Sequence, residues 1–292
     1  MRAAAFQAAI PSSLWIAGLM YQGLNLGWTF GVLVGGPLMD RTMPGVFDQD
    51  TLAFVMRRKL DPLSIVGQHA KWWPLLLLTP LFFRLVAGLA ALSPKRRWQE
   101  QRTERKPHRL RTAFGLGKGM TLSAITLWIQ FLIMMFGAAL IFIGPFKIFT
   151  DLAGLSPNSP VTVLIAGSVG VAIYVYGFVL SVLFQLALHS LVQNQRGVGS
   201  ALLHAWRIAK NDPMATARAT VIDAVIFLVT WTGIFLYVAV LRTLPSYAAI
   251  VAVLPAFALD GLIGCARCAY WARVYEALGG ISTLPGEEAA TA

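Results

Sequence analysis

Three ionisable residues fall inside long apolar stretches: Arg84, Asp223 and Asp260. Charge within hydrocarbon is costly unless it is paired or wetted. Helical spans place the three about eight, five and eight residues from their inner ends. At a rise of about 1.5 Å per residue, they share a depth of roughly 8 to 12 Å from the cytoplasmic interface. Arg84 is therefore expected to pair with Asp260 or Asp223. Such a cluster does one of two things. It opens a proton or anion pathway toward the cytoplasm, or it staples spans together, with snorkelling to the near interface as a variant. With one arginine and two aspartates, the staple is the expectation.

Cys265-Ala266-Arg267-Cys268 has the C-x-x-C spacing of redox and metal motifs, and Arg267 is placed to activate a thiol. Zinc needs further ligands, and the histidines are His69, His108, His189 and His204. Of these, His189 and His204 share a membrane side with the cysteines. The competing reading is packing, because Gly261, Gly264, Cys265, Cys268 and Ala272 form one small-residue helix face. Packing is the expectation, with no metal and no cofactor. Asp260-Gly261 and Ala266-Arg267 resemble the two halves of the CDP-alcohol phosphatidyltransferase signature, but four residues separate them here instead of two. No Gly-x-x-x-Asp-x-x-x-Asp follows, and the extra half-turn moves Arg267 off the metal-binding face, so that assignment is rejected. Gly115-Leu116-Gly117-Lys118-Gly119 imitates a phosphate loop, yet Thr112 and Gly119 stand where a Walker A motif needs Gly and Ser or Thr. His-Glu-x-x-His and Gly-x-Ser-x-Gly are absent from the sequence. The expectation is a protein that is not an enzyme.

The elements that must hold these residues are set by lipid. The chain has 292 residues, of which 57% are hydrophobic and 13% charged. Soluble domains carry about 25% charged residues, so half that value indicates a bilayer as the solvent. The net charge of +11 is concentrated in one loop, which contains Lys95, Arg96, Arg97, Arg102, Arg105, Lys106, Arg109, Arg111 and Lys118 against Glu100 and Glu104. Positive flanks resist translocation, so this loop is read as cytoplasmic and in contact with anionic lipid headgroups. Nucleic acid is not expected as a partner.

The predicted architecture is all-α: a polytopic bundle of about six spans with both termini cytoplasmic. Residues 1–92 hold two spans and an outer loop, 93–119 the basic loop, 120–278 a four-span bundle, and 279–292 a tail expected to be disordered. The N-terminal stretch, broken by Gln7, Pro11, Ser12 and Ser13, reads as a retained first helix and not a signal peptide. Span one covers about 13–36, and Gly23, Gly27, Gly31 and Gly35 recur along it every four residues. That zipper leaves a bare face against which another backbone packs, in this chain, a second copy or another membrane protein. A short interfacial helix is expected near 51–59. Trp72 and Trp73 mark the start of span two, which runs to about 92 with Pro74 and Pro80 bending it. Spans three to six cover about 120–146, 161–191, 220–241 and 247–271. Between spans four and five, Val198, Ala201, Leu202, Ala205, Trp206 and Ile208 give the apolar face of a helix on the inner interface.

With this topology sixteen basic residues lie inside and seven outside, as the positive-inside rule requires. Over about residues 120–276, antiparallel spans enclose the inner segment Gly199–Arg207, and the last span ends Ala269-Tyr270-Trp271-Ala272-Arg273-Val274-Tyr275. This pattern resembles the bacterial six-span membrane proteins of unknown function grouped near the membrane domain of glycerophosphodiester phosphodiesterases. The resemblance implies a membrane module of the bacterial inner membrane and carries no catalytic residues. The expected function is a membrane scaffold or accessory subunit contacting lipids, a second copy or another membrane protein. The alternative is a small transporter or channel using the intramembrane charges.

Overall fold

A computed structural model describes residues 14–24, 73–94, 110–154, 159–241 and 246–280. Every regular element among them is helical. In chain order these are α1 (Leu14–Leu24), α2 (Trp73–Leu92), α3 (Leu110–Leu116), α4 (Thr121–Leu152), α5 (Pro160–Gln193), α6 (Val198–Asn211), α7 (Pro213–Leu241) and α8 (Ser246–Ala277).

Local chemistry sets several boundaries. Ser159 caps α5 by accepting the Thr162 N–H at 3.1 Å, and Pro160 occupies the first turn, where its missing donor costs nothing. Asp212 ends α6 and starts α7, its Oδ1 accepting the Ala215 N–H at 2.9 Å. At the end of α8, Gly279 adopts a φ of 75° and the Gly280 N–H returns to the Tyr275 carbonyl at 2.8 Å. That reversal needs a left-handed residue, which glycine supplies without strain.

Among the described residues, two helices are long and apolar enough to cross a membrane, or three if α3 and the first part of α4, bent by 82°, count as one span. α5 makes the physical case. Its 34 residues have a mean hydropathy of 2.2 in the span window, yet only 12% of that window is buried inside the protein. Val161, Val163, Leu164, Val171 and Val175 all stand exposed. Surface of that kind is stable against lipid, not water.

The helices fall where the spans were expected, but the six-span count is finer than these lengths establish. The described part of α1 has 11 residues, about 16 Å of helix, which is short of a bilayer core. Residues 51–59 and 281–292, expected to be an interfacial helix and a loose tail, lie outside the described residues.

The core sits at one end of the bundle. Phe83–Leu92 of α2, the last turns of α5, Asp260–Tyr275 of α8 and the first half of α4 converge there, with α1, α3 and α6 packed among them. Phe131 meets Phe184 edge-on at 5.3 Å, and Phe83 meets Trp128 at 5.6 Å. α6 buries Ala201, Ala205 and Ile208, as its pattern predicts. Trp206, assigned to the same face by the sequence, is instead 53% exposed beside Leu203.

Two contacts bring backbone against backbone. α1 crosses α8 so closely that a Cβ on Gly18 would stand 1.9 Å from the Gly261 carbonyl oxygen, and one on Gly264 would stand 2.0 Å from that of Gly18. The second joins α2 to the α3–α4 turn, where a Cβ on Gly117 would lie 1.9 Å from the Arg84 carbonyl oxygen. Of the glycines at 115–119, Gly117 thus serves helix packing, whereas a Cβ on Gly115 or Gly119 would meet nothing within 4 Å.

Candidate functional site: a buried charge network beside an apolar cleft

Asp260 and Arg267 lie seven residues apart on α8, two turns along one face. α1 supplies Gln22 to that face and α7 supplies Asp223. The Arg267 guanidinium is almost fully enclosed, with 2% of its residue surface exposed. Its Nε donates to Asp223 Oδ1 at 2.7 Å and its Nη2 to Oδ2 at 2.6 Å, a two-pronged pairing that matches the planar fork to the carboxylate. The third direction is used as well, because Nη1 donates to Gln22 Oε1 at 2.6 Å. Three helices are tied through one side chain. Tyr270, one turn on, adds a hydrogen bond from its hydroxyl to the Ala219 carbonyl on α7 at 2.8 Å.

Asp260 is held differently. Gln22 Nε2 donates to its Oδ1 at 3.5 Å, the limit of a hydrogen bond, and its other oxygen meets no donor among the described residues. The residue is 9% exposed. That remaining surface faces a cleft of about 390 Å³ between α7 and α8, lined by Val229, Thr230 and Gly233 on one side and Leu259, Asp260 and Ile263 on the other. The network holds one guanidinium against two carboxylates, and the guanidinium is spent on Asp223.

The expected pairing of Arg84 with either aspartate does not form. Arg84 Nε donates to the Phe114 carbonyl at 2.7 Å, and the guanidinium carbon lies 3.6 Å above the Phe114 ring. Arg84 faces α3, and a carbonyl plus an aromatic face satisfy it without a carboxylate. The residue that takes its place, Arg267, is visible in the sequence as a basic residue two turns from Asp260. Its place inside the C-x-x-C spacing points to the thiols instead. Gln22, a polar residue in an otherwise apolar first helix, was the second overlooked signal.

Both thiols are turned to helix packing. Cys265 Sγ donates to the Leu14 carbonyl at 3.2 Å, and Cys268 Sγ lies 3.1 Å from Ser93 Oγ. Each is buried. His189 Nδ1 lies 3.1 Å from Gln193 Nε2, and His204 Nε2 lies 3.2 Å from the Gly280 carbonyl oxygen, so these two histidines are engaged elsewhere, while His69 and His108 lie outside the described residues. No group of three or more potential metal ligands occurs among the described residues.

Of the predicted glycine zipper, Gly23 is exposed with open space beside it, and Gly27, Gly31 and Gly35 lie outside the described residues. The close contact of α1 uses Gly18 instead. Of the predicted headgroup contacts, Arg111 is exposed on α3. Lys95, Arg96, Arg97, Arg102, Arg105, Lys106 and Arg109 lie outside the described residues.

Comparison with protein-family models, with curated proteins and with solved structures returns no match to this chain.

Proposed function

We propose that this chain is a six-span protein of a bacterial inner membrane, both termini cytoplasmic, acting as a non-catalytic scaffold or accessory subunit. One observation carries the reading. Each nitrogen of the buried Arg267 guanidinium donates a hydrogen bond that helps hold α1, α7 and α8 together. Arg267 and Asp223 are spent on assembling the bundle, and the Cys265 and Cys268 thiols follow the same pattern. Contacts with the surroundings then fall to the surface. α6 presents Leu203 and Trp206 with Arg207 and Lys210, a composition suited to anionic headgroups. The resemblance to six-span proteins near the glycerophosphodiester phosphodiesterase membrane domain agrees with a module of this kind.

A small transporter is the second reading, favoured by Asp260 beside its apolar cleft. Native mass spectrometry of the full chain released from nanodiscs separates the two. The accessory reading predicts retained anionic lipid or a defined partner, with a second copy as one form. A bare monomer with no retained lipid would contradict it.

A further inference from the structure

We propose that the cleft between α7 and α8 is a binding site for a lipophilic cation, with Asp260 as its counter-ion. This goes beyond the scaffold reading and does not depend on it, since a scaffold and a carrier can each hold such a ligand. Shape and charge converge on it. The walls contributed by Val229, Gly233, Leu259 and Ile263 are apolar or bare backbone, and the volume of about 390 Å³ suits a small aromatic or alkyl body. A carboxylate in such surroundings is expensive unless a positive charge meets it. Arg267 makes no hydrogen bond to Asp260, because its fork is closed on Asp223 and its Nη1 on Gln22, and it acts on Asp260 only through space. Asp260 is left with one long contact from the Gln22 amide, which is itself neutral. The site therefore sets a carboxyl group, nine-tenths buried and with no direct cationic partner among the described residues, in the wall of an apolar cleft. Thr230 adds a hydroxyl oxygen at the wall. Its hydrogen is given to the Ile226 carbonyl at 2.7 Å, so what it offers a ligand is an acceptor, again suited to a cation.

The test uses the full chain in nanodiscs and two probes of matched shape and opposite charge, tetraphenylphosphonium and tetraphenylborate. The cation should bind saturably and the anion should not compete. Asp260→Asn, which retains an oxygen for the Gln22 contact, should weaken cation binding about tenfold or more, equivalent to ~1.4 kcal/mol. Gly233→Phe provides a second variant that leaves the charge network intact. A Cβ at Gly233 meets nothing within 4 Å, so the ring has room to enter the cleft. It should abolish binding while the melting temperature stays at the wild-type value. Equal binding of both probes, no saturable binding of the cation, or unchanged affinity in both variants would each overturn the proposal. Unchanged affinity in Asp260→Asn alone would also overturn it, by showing that the carboxyl group is neutral in the site.

Discussion

Arg267 and Asp223 form a two-pronged ion pair between α8 and α7, with N–O distances of 2.7 and 2.6 Å and both residues buried. Burying such a pair yields little net stability, because desolvation consumes most of the Coulombic gain. Removing one partner is another matter, since the survivor is left charged and enclosed. Arg267→Met and Asp223→Leu should each destabilise the bundle by about 3–5 kcal/mol. Arg267→Lys should also be harmful, because an ammonium cannot serve both Asp223 oxygens and Gln22 with the same planar geometry. Thermal unfolding in detergent measures all three.

The α1–α8 crossing gives a sharper prediction by position. Gly18→Ala and Gly264→Ala each place a methyl group about 2 Å from a backbone carbonyl oxygen of the opposite helix. The helices must separate, at a cost of about 1–3 kcal/mol or more from overpacking. Gly23→Ala meets nothing within 4 Å and should leave the melting temperature of the monomer unchanged. Should Gly23→Ala alter oligomeric state at unchanged monomer stability, its face would be an intermolecular contact.

Arg84 is expected to behave as a local clamp and not as part of the charge network. Arg84→Ala removes the hydrogen bond to the Phe114 carbonyl and the stacking on its ring. The loss should be about 1–3 kcal/mol, most of it a charge-assisted hydrogen bond. Proteolytic nicking near residues 110–120 should accelerate, while cation binding at the α7–α8 cleft stays as in the wild type. A change in that binding would place Arg84 in the network after all.

The cysteines should be unreactive in the folded protein. Cys265 and Cys268 are buried, and their sulfurs lie against the Leu14 carbonyl and the Ser93 hydroxyl respectively. A membrane-permeant maleimide should label neither until the bundle is unfolded. Rapid labelling of the native protein would restore a chemical role to the C-x-x-C spacing.

How much of this was legible in the sequence varies with the physics involved. Helix positions were, because long apolar windows leave little choice of backbone in lipid. α5 and α8 begin and end within a few residues of the expected spans, and α6 buries Ala201, Ala205 and Ile208 as its period requires. The partner of each charge was not legible. Depth along a helix can be counted from sequence, but the direction a side chain takes around the bundle depends on neighbours that sequence order does not name. By depth Arg84 matches the two aspartates and Arg267 lies nearer the inner end, and only the packing of α3 against α2 decides that Arg84 turns to Phe114. The same limit applies to the glycines. A repeat every four residues marks a bare face, yet Gly18, outside that repeat, makes the closest approach because it lies opposite Gly261 and Gly264.

The most direct test of the account is a double-mutant cycle across Arg267 and Asp223, read as melting temperature. Arg267→Met and Asp223→Leu are compared singly and together in the full chain. If the pair is a staple, the double variant is more stable than either single variant, because neither charge is left alone in the core. Additive losses, with the double variant the least stable of the three, would mean that the two residues stabilise the bundle independently, and the central claim would fall.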